Sequence, residues 1–342
     1  MNVVTPLKKL TPADFATDQE VRWCPGCGDY AILKAMQRTL VDIGATKENT
    51  VFISGIGCAA RFPYYMATYG FHTIHGRAPS VGTGIKLANP DLDVWVITGD
   101  GDALSIGGNH LLHVLRRNVN LQVLLFNNEI YGLTKGQYSP TSRAGTRSPS
   151  TPLGSIENPV SAAALALGAG ARFVARSVDT MQKHLPVIFK RAHDHNGTSF
   201  VEIFQNCIVY NPTAWTQTTE PDVRDDNILF LEEGEPLVFG RDRDKGIRVN
   251  STGEPEVVQL GENGVNEDDL LIHREGLENT SYVYMLSRMS LPDFPVPFGV
   301  LRAVDKPSYT ELLMDQVEQS IQSLGRGNLT DLYHASGTWE VR

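Results

Sequence analysis

Cysteine is scarce in this chain of 342 residues: only Cys24, Cys27, Cys58 and Cys207 occur. So few thiols in so long a chain exclude a disulfide framework as the source of stability. Long apolar runs are missing too, and no stretch reaches the length that spans a bilayer. The opening residues, MNVVTPLKKLTPADFATDQEVRW, hold no apolar signal core, so cytoplasmic residence is expected. Positive charge is in deficit. Lys and Arg number 30 against 39 Asp and Glu, a net charge of −9, with no block of like charge long enough for a nucleic-acid tail. Neither nucleic acid nor a membrane is an expected partner. What remains, 41% hydrophobic and 20% charged, suits a globular chain able to bury a sizeable core.

The most informative stretch spans residues 99–137. An apolar run, Val94-Trp95-Val96-Ile97-Thr98, breaks into Gly99-Asp100-Gly101. A helical pattern follows, with Leu111, Leu112, Val114 and Leu115 spaced to bury one face, and a second apolar run over 121–126 delivers Asn127-Asn128. Strand, acidic turn, helix, strand and polar turn make a unit of parallel α/β architecture. Both polar turns then sit at carboxyl ends of neighbouring strands, where open α/β sheets bind ligands. One Asp and one Asn converge there, hard oxygen ligands of the kind Mg²⁺ takes before completing its shell with phosphate and water. A GDG followed after 25 residues by NN resembles the signature of thiamine diphosphate enzymes. That resemblance implies Mg²⁺ on Asp100, the Asn128 side chain and the Ile130 carbonyl. Gly99, Gly101 and Asp102 would bring backbone to the diphosphate, and Tyr131, Gly132 and Leu133 would line the cofactor cavity.

Around this stretch the pattern alternates. Residues 1–20 read as an extended arm lying on the domain or on a partner. A helix is expected from Asp29, its N-cap, with Ile32, Leu33, Met36, Leu40 and Ile43 on one face and Gly44 as the stop. Residues 50–54 read as a buried strand, 81–88 as helix, 159–170 as helix, 172–178 as strand, 180–195 as helix and 200–205 as strand. Residues 138–158, dense in Ser, Thr, Pro and Arg, read as a surface loop that orders only on binding. The expectation is an α/β fold: a mostly parallel sheet with helices on both faces over 21–212. Residues 213–342 would form an irregular C-terminal extension, packed on the core or on another subunit, with one amphipathic helix over 309–324.

The four cysteines fall outside apolar periodic runs, whereas buried structural cysteines usually occupy core positions. Their number matches one [4Fe–4S] cluster or one structural Zn²⁺. Structural zinc sites use two close pairs; here one CxxC is followed by single cysteines after 30 and then 148 intervening residues, which tilts toward iron–sulfur. A redox CxxC is a third reading, and it would leave Cys58 and Cys207 idle.

CPGCGDY, GIGC, HGRA, GDGDALSIGGNH, NNEIYGLTKGQ and the late Asn206-Cys207 together resemble the β subunit of 2-oxoacid:ferredoxin oxidoreductases, most of all the two-subunit 2-oxoglutarate type. The resemblance covers about residues 20–212. It implies one [4Fe–4S] cluster on Cys24, Cys27, Cys58 and Cys207 beside thiamine diphosphate, with Asp29 and Cys58 close to the cofactor. It implies oxidative decarboxylation of 2-oxoglutarate to succinyl-CoA with coenzyme A and ferredoxin, or the reverse. It also implies an α subunit in an (αβ)₂ assembly, because the family draws from that subunit the Glu that activates the cofactor. Arg61, three residues past Cys58, is a candidate grip for a distal substrate carboxylate. His75 and Arg77 are candidates for substrate carboxylate or cofactor phosphate, and Lys135 for coenzyme A or ferredoxin. Pyruvate or another 2-oxoacid, or a non-redox thiamine diphosphate decarboxylase with zinc on its cysteines, are the rival readings.

Overall fold

The computed structural model describes residues 10–341. Ahead of the core, Pro12–Phe15 forms a short 3-10 helix that buries the Phe15 ring completely. The expected arm therefore lies on the domain from residue 10 onward, and residues 1–9 fall outside the described residues. Helix α1, Asp29–Asp42, buries Ile32, Leu33, Met36 and Leu40, and the chain leaves it through Gly44 at φ 70°. Asp29 is the first helical residue rather than the cap, and its side chain makes no capping bond.

Strand β1 (Thr50–Ser54), β2 (Tyr69–His72), α2 (Ala78–Ala88) and β3 (Asp93–Gly99) follow. The acidic turn is itself helical: α3 covers Asp100–Leu104, and α4 covers Gly108–Arg117. On α4, Leu111, Val114 and Leu115 are buried while Leu112 is 39% exposed. Positions i, i+3 and i+4 share a face and i+1 does not. Strand β4 (Leu121–Asn127), α5 (Ala162–Gly168), β5 (Phe173–Val178), α6 (His184–Asp194) and β6 (Thr198–Phe204) complete the expected unit.

The segment after residue 212 departs from the irregular extension that was expected. Short helices α7 (Thr216–Thr219) and α8 (Arg224–Asn227) lead to β7 (Ile228–Leu231). Strands β8 (Val238–Phe239), β9 (Lys245–Val249) and β10 (Pro255–Gln259) make a small antiparallel sheet. After α9 (Ser281–Arg288), β11 (Val296–Ala303) returns to the main sheet, and α10 (Tyr309–Leu324) and α11 (Leu329–His334) end the chain. The main sheet has eight strands in the order β2-β1-β3-β4-β6-β5-β11-β7. Six are parallel; β11 enters antiparallel to β5 and carries β7 parallel to itself. Residues 213–342 thus extend one edge of the sheet through β11 and β7. Their strands were hard to read because they are short and separated by long turn-rich connections.

β3, β4, β5 and β6 are buried almost throughout, as parallel strands covered on both faces must be. Among the described residues no helix is long and apolar enough to cross a membrane.

Candidate cofactor site

The carboxyl ends of β1, β3, β4 and β6 share one side of the sheet, and each is followed by a loop carrying residues singled out above. These loops enclose a cavity of about 560 Å³. Its wall includes Asp29, Cys58, His75, Gly99, Asp100, Gly101, Asp102, Asn128, Ile130, Tyr131, Gly132 and Leu133. Arg77 and Lys135 lie outside that wall: Arg77 is exposed and meets the His110 ring, and exposed Lys135 occupies a left-handed turn position at φ 78°.

Asp100 is 3% exposed, and its Oδ2 accepts bonds from the Ser139 and Thr141 hydroxyls, each at 2.6 Å. Burial pushes its pKa up, and the two hydroxyls pull against that. Oδ1 is left without a side-chain partner. The Asn128 amide donates to Gln205 Oε1 at 3.2 Å, and Asn128 Oδ1 accepts the Ile130 N–H at 3.2 Å. Gly101 is irreplaceable for a local reason: a Cβ there would stand 2.1 Å from the Tyr131 ring, whose hydroxyl donates to the Gly101 carbonyl at 3.2 Å.

Asp102 lines the cavity and its side chain also ties the neighbouring loops together. Its carboxylate accepts from Thr98 Oγ1 (2.9 Å), Ile56 N (3.2 Å) and Gly76 N (2.8 Å), tying the loops after β1 and β2 to the end of β3. Asp29 is 1% exposed, and neither carboxylate oxygen has a hydrogen-bond partner. Burial and the neighbouring Asp179 push it up to about 7; Asp179, also buried, is pushed up to about 6. An orphaned acid on a cavity wall is a ready partner for a ligand's N–H or O–H.

Cys58 caps a 3-10 helix, Ala59–Tyr65, and its carbonyl accepts the Trp23 indole N–H at 2.7 Å. The Cys58 and Cys207 sulfurs lie 3.7 and 3.3 Å from the point where a Gly132 Cβ would be. Gln205 Nε2 donates to Cys27 Sγ at 3.0 Å. Burial pushes the Cys58 thiol up to about 12 and raises Cys27 as well, and the charges of Asp29 and of the other cysteines add to both. Cys58 thus lines the cavity, the Cys207 sulfur approaches its wall at Gly132, Cys27 meets Gln205 of that wall, and Cys24 is exposed in the same loop as Cys27.

Arg61 lies in an adjoining cavity of about 440 Å³, with Arg22 and His72, and this chamber shares Ile56, Gly57 and Leu133 with the first. Arg61 Nη1 donates to the Arg22 carbonyl at 3.3 Å.

Several site residues escaped the sequence reading. Gln205 joins the Asn128 turn to the cysteine loop, and its place directly before Asn206-Cys207 at a strand end was an available signal. Ser139, Thr141 and Ser142 are buried, and Ser142 Oγ donates to the Glu129 carbonyl, so the start of the supposed surface loop is folded under the site. Nothing in its composition distinguished it from a turn-rich loop. The buried Glu129, pushed up to about 7 by burial against the pull of Arg143 (3.3 Å), and Glu202, paired with Arg176 at 2.9 Å, face a separate cavity of about 370 Å³.

Together the sheet order, the Asp100–Asn128 crevice and the cavity define a thiamine diphosphate-binding α/β protein. The family described as the thiamine pyrophosphate enzyme C-terminal TPP-binding domain matches residues 55–203. The chain is 45% identical over 331 residues to the 2-oxoglutarate oxidoreductase subunit KorB of Mycobacterium tuberculosis, covering 96% of this chain and 88% of that protein. It is 38% identical to the 2-oxoglutarate synthase subunit KorB of Archaeoglobus fulgidus over 64% of this chain and 82% of that one. The solved 2-oxoglutarate:ferredoxin oxidoreductase of Magnetococcus marinus, with 2-oxoglutarate, coenzyme A and succinyl-CoA bound, superposes with a TM-score of 0.76 at 31% identity over 98% of both chains. The chain belongs to the β-subunit family of the 2-oxoacid:ferredoxin oxidoreductases.

Proposed function

We propose that this chain is the cofactor-binding β subunit of a 2-oxoglutarate:ferredoxin oxidoreductase, acting in the cytoplasm with an α subunit, in an (αβ)₂ assembly. The reaction takes 2-oxoglutarate and coenzyme A to succinyl-CoA and CO₂ while two electrons pass singly to ferredoxin, or runs in reverse. The carrying observation is that Asp100, Asn128, Ile130 and Cys58 share the wall of one cavity, with the Cys58 and Cys207 sulfurs beside Gly132 on that wall. A thiamine diphosphate site alone would need no thiols beside it. The names of the M. tuberculosis and M. marinus proteins support the choice of 2-oxoglutarate.

Asp100 Oδ1, the Asn128 side chain and the Ile130 carbonyl fit Mg²⁺. When bound, thiamine diphosphate supplies the carbanion and electron sink for decarboxylation. The chain's own residues orient and enclose it: Gly99 and Gly101 let backbone approach, Asp29 offers an unpaired acceptor, and Tyr131 and Leu133 wall off water. Cys24, Cys27, Cys58 and Cys207 would hold a [4Fe–4S] cluster. Four thiolates are the ligand number such a cluster takes. Arg61, in the adjoining chamber, would grip the distal carboxylate of the substrate, with His75 at the rim. Lys135 remains a candidate contact for coenzyme A or ferredoxin.

Among the described residues no Glu lines the cofactor cavity, which supports completion of the site by the α subunit. The apolar residues exposed on α10 and α11, such as Leu324, Leu332 and Tyr333, support burial of this end against another chain. The test is expression with and without the α subunit under anaerobic conditions. The pair is expected to be brown, to carry about four irons per β chain, and to reduce ferredoxin only with both 2-oxoglutarate and coenzyme A. A colourless pair with one zinc, or turnover by the β chain alone, would overturn the reading.

A further inference from the structure

The cysteine loops have an outer face as well as the inner face toward the cavity. Gly26 sits against Ile208, whose Cδ1 is 3.6 Å from the point where a Gly26 Cβ would be. Ile208, Val209 and Tyr210 directly follow Cys207 and are 38%, 52% and 41% exposed. Three successive apolar residues left in water beside the thiols form a patch of the kind that marks an interaction site. Next to it a shallow cavity of about 650 Å³ opens over Gly26 and Cys27 and is bordered by Lys34 and Arg38 of α1. Lys183, at the start of the neighbouring α6, is exposed close to Gln182 on the same rim.

The charge on this rim is out of character for the chain. The protein carries a net −9, yet Lys34, Arg38 and Lys183 are exposed and, among the described residues, form no ion pair. Among the described residues the one carboxylate bordering the cavity, Asp179, is buried. Two acidic proteins repel at long range, so productive encounter between them needs a local patch of opposite sign aimed at the contact. An apolar centre inside a cationic rim is also the general anatomy of a protein interface.

From this we propose that the face made by Ile208-Val209-Tyr210 with Lys34, Arg38 and Lys183 is the docking surface for a small acidic iron–sulfur protein, the electron acceptor. The inference rests on the cluster reading above and adds where electrons leave. At this face one electron passes from the reduced cluster to the oxidised partner, the partner's iron is reduced by that electron, and a second docking removes the second. No bond forms or breaks at the surface.

The experiment uses the αβ holoenzyme, wild type against Lys34→Glu/Arg38→Glu and Lys34→Gln/Arg38→Gln. Binding of an acidic ferredoxin is measured directly by biolayer interferometry across a salt series. KM for ferredoxin, turnover with methyl viologen and iron content are measured alongside. Charge reversal is expected to weaken ferredoxin binding about tenfold or more at low salt and to flatten its salt dependence. The neutral variant should fall between, with iron content and viologen turnover unchanged. Unchanged ferredoxin affinity with normal iron overturns the surface alone. Loss of the α subunit from the reversed variant overturns it too, by making the face a subunit contact. A wild-type pair without iron overturns the cluster reading and the docking surface with it.

Discussion

Replacing Thr141 by Val keeps the side chain's shape and removes the one hydroxyl hydrogen it donates to Asp100. In the wild type, Asp100 Oδ2 receives that bond and a second from Ser139, both at 2.6 Å, inside a site that is almost closed to water. A hydrogen bond to a charged group is worth about 1.5–3 kcal/mol, and little solvent is present to replace it. The loss falls on the ionised, metal-binding form of Asp100. At about 1.4 kcal/mol per tenfold, Mg²⁺ affinity should drop roughly 10- to 100-fold, the range typical for partners of metal ligands. Ser139→Ala should act similarly. The double variant should lose less than the sum, because the two hydroxyls also touch each other at 3.1 Å. Thr141→Ser restores the donor and should restore affinity. The assay is Mg²⁺ titration at saturating thiamine diphosphate, followed by tryptophan fluorescence. Trp215 is a built-in probe, since its indole donates to the Asn127 carbonyl next to Asn128. Thr141→Val binding Mg²⁺ within twofold of wild type would refute the reasoning, and Asp100→Ala separates the two levels. If that variant also binds normally, Asp100 is not a ligand.

Gly101→Ala should weaken thiamine diphosphate binding roughly tenfold or more, because the new methyl displaces the Tyr131 ring; Gly108→Ala, with nothing within 4 Å, is the matched control in the same calorimetric titration. Arg61→Ala in the αβ pair should raise KM for 2-oxoglutarate roughly 10- to 100-fold while leaving pyruvate kinetics little changed; equal effects on both substrates would argue against a distal carboxylate grip. His184 is pushed down to about 4 by burial, so it is neutral in the folded chain. The unfolded chain takes up that proton near pH 6.5, so its share of stability is complete above 6.5 and is lost as pH falls toward 4, by roughly 3 kcal/mol. His184→Gln, which keeps a partner for the Ser177 hydroxyl, should flatten the pH dependence of urea unfolding over that window.

Local pattern carried much of this protein. The strands β1, β3 and β4 are short apolar runs ended by glycine or asparagine, and α1 and α4 show their buried faces in residue spacing, so their places could be read directly. With parallel strands, the turns at Asp100 and Asn128 had to fall on the same side, and the crevice followed from that. Cysteine placement outside periodic runs pointed to shared ligation for the same local reason. Only the tertiary structure decided which polar residues reach those turns. Ser139 and Thr141 come from a segment whose composition reads as loop, and they support Asp100 because the chain turns back between Tyr131 and Gln137 and carries them to it. Asp102 turned out to be a tie among three loops, a role set by backbone amides that its own sequence neighbourhood does not reveal. The register that brings β11 onto the sheet edge likewise depends on pairing with β5 more than a hundred residues earlier in sequence, and β7 follows by pairing with β11. Spacing along a chain encodes which face of one element is apolar; it does not encode which distant element will meet that face.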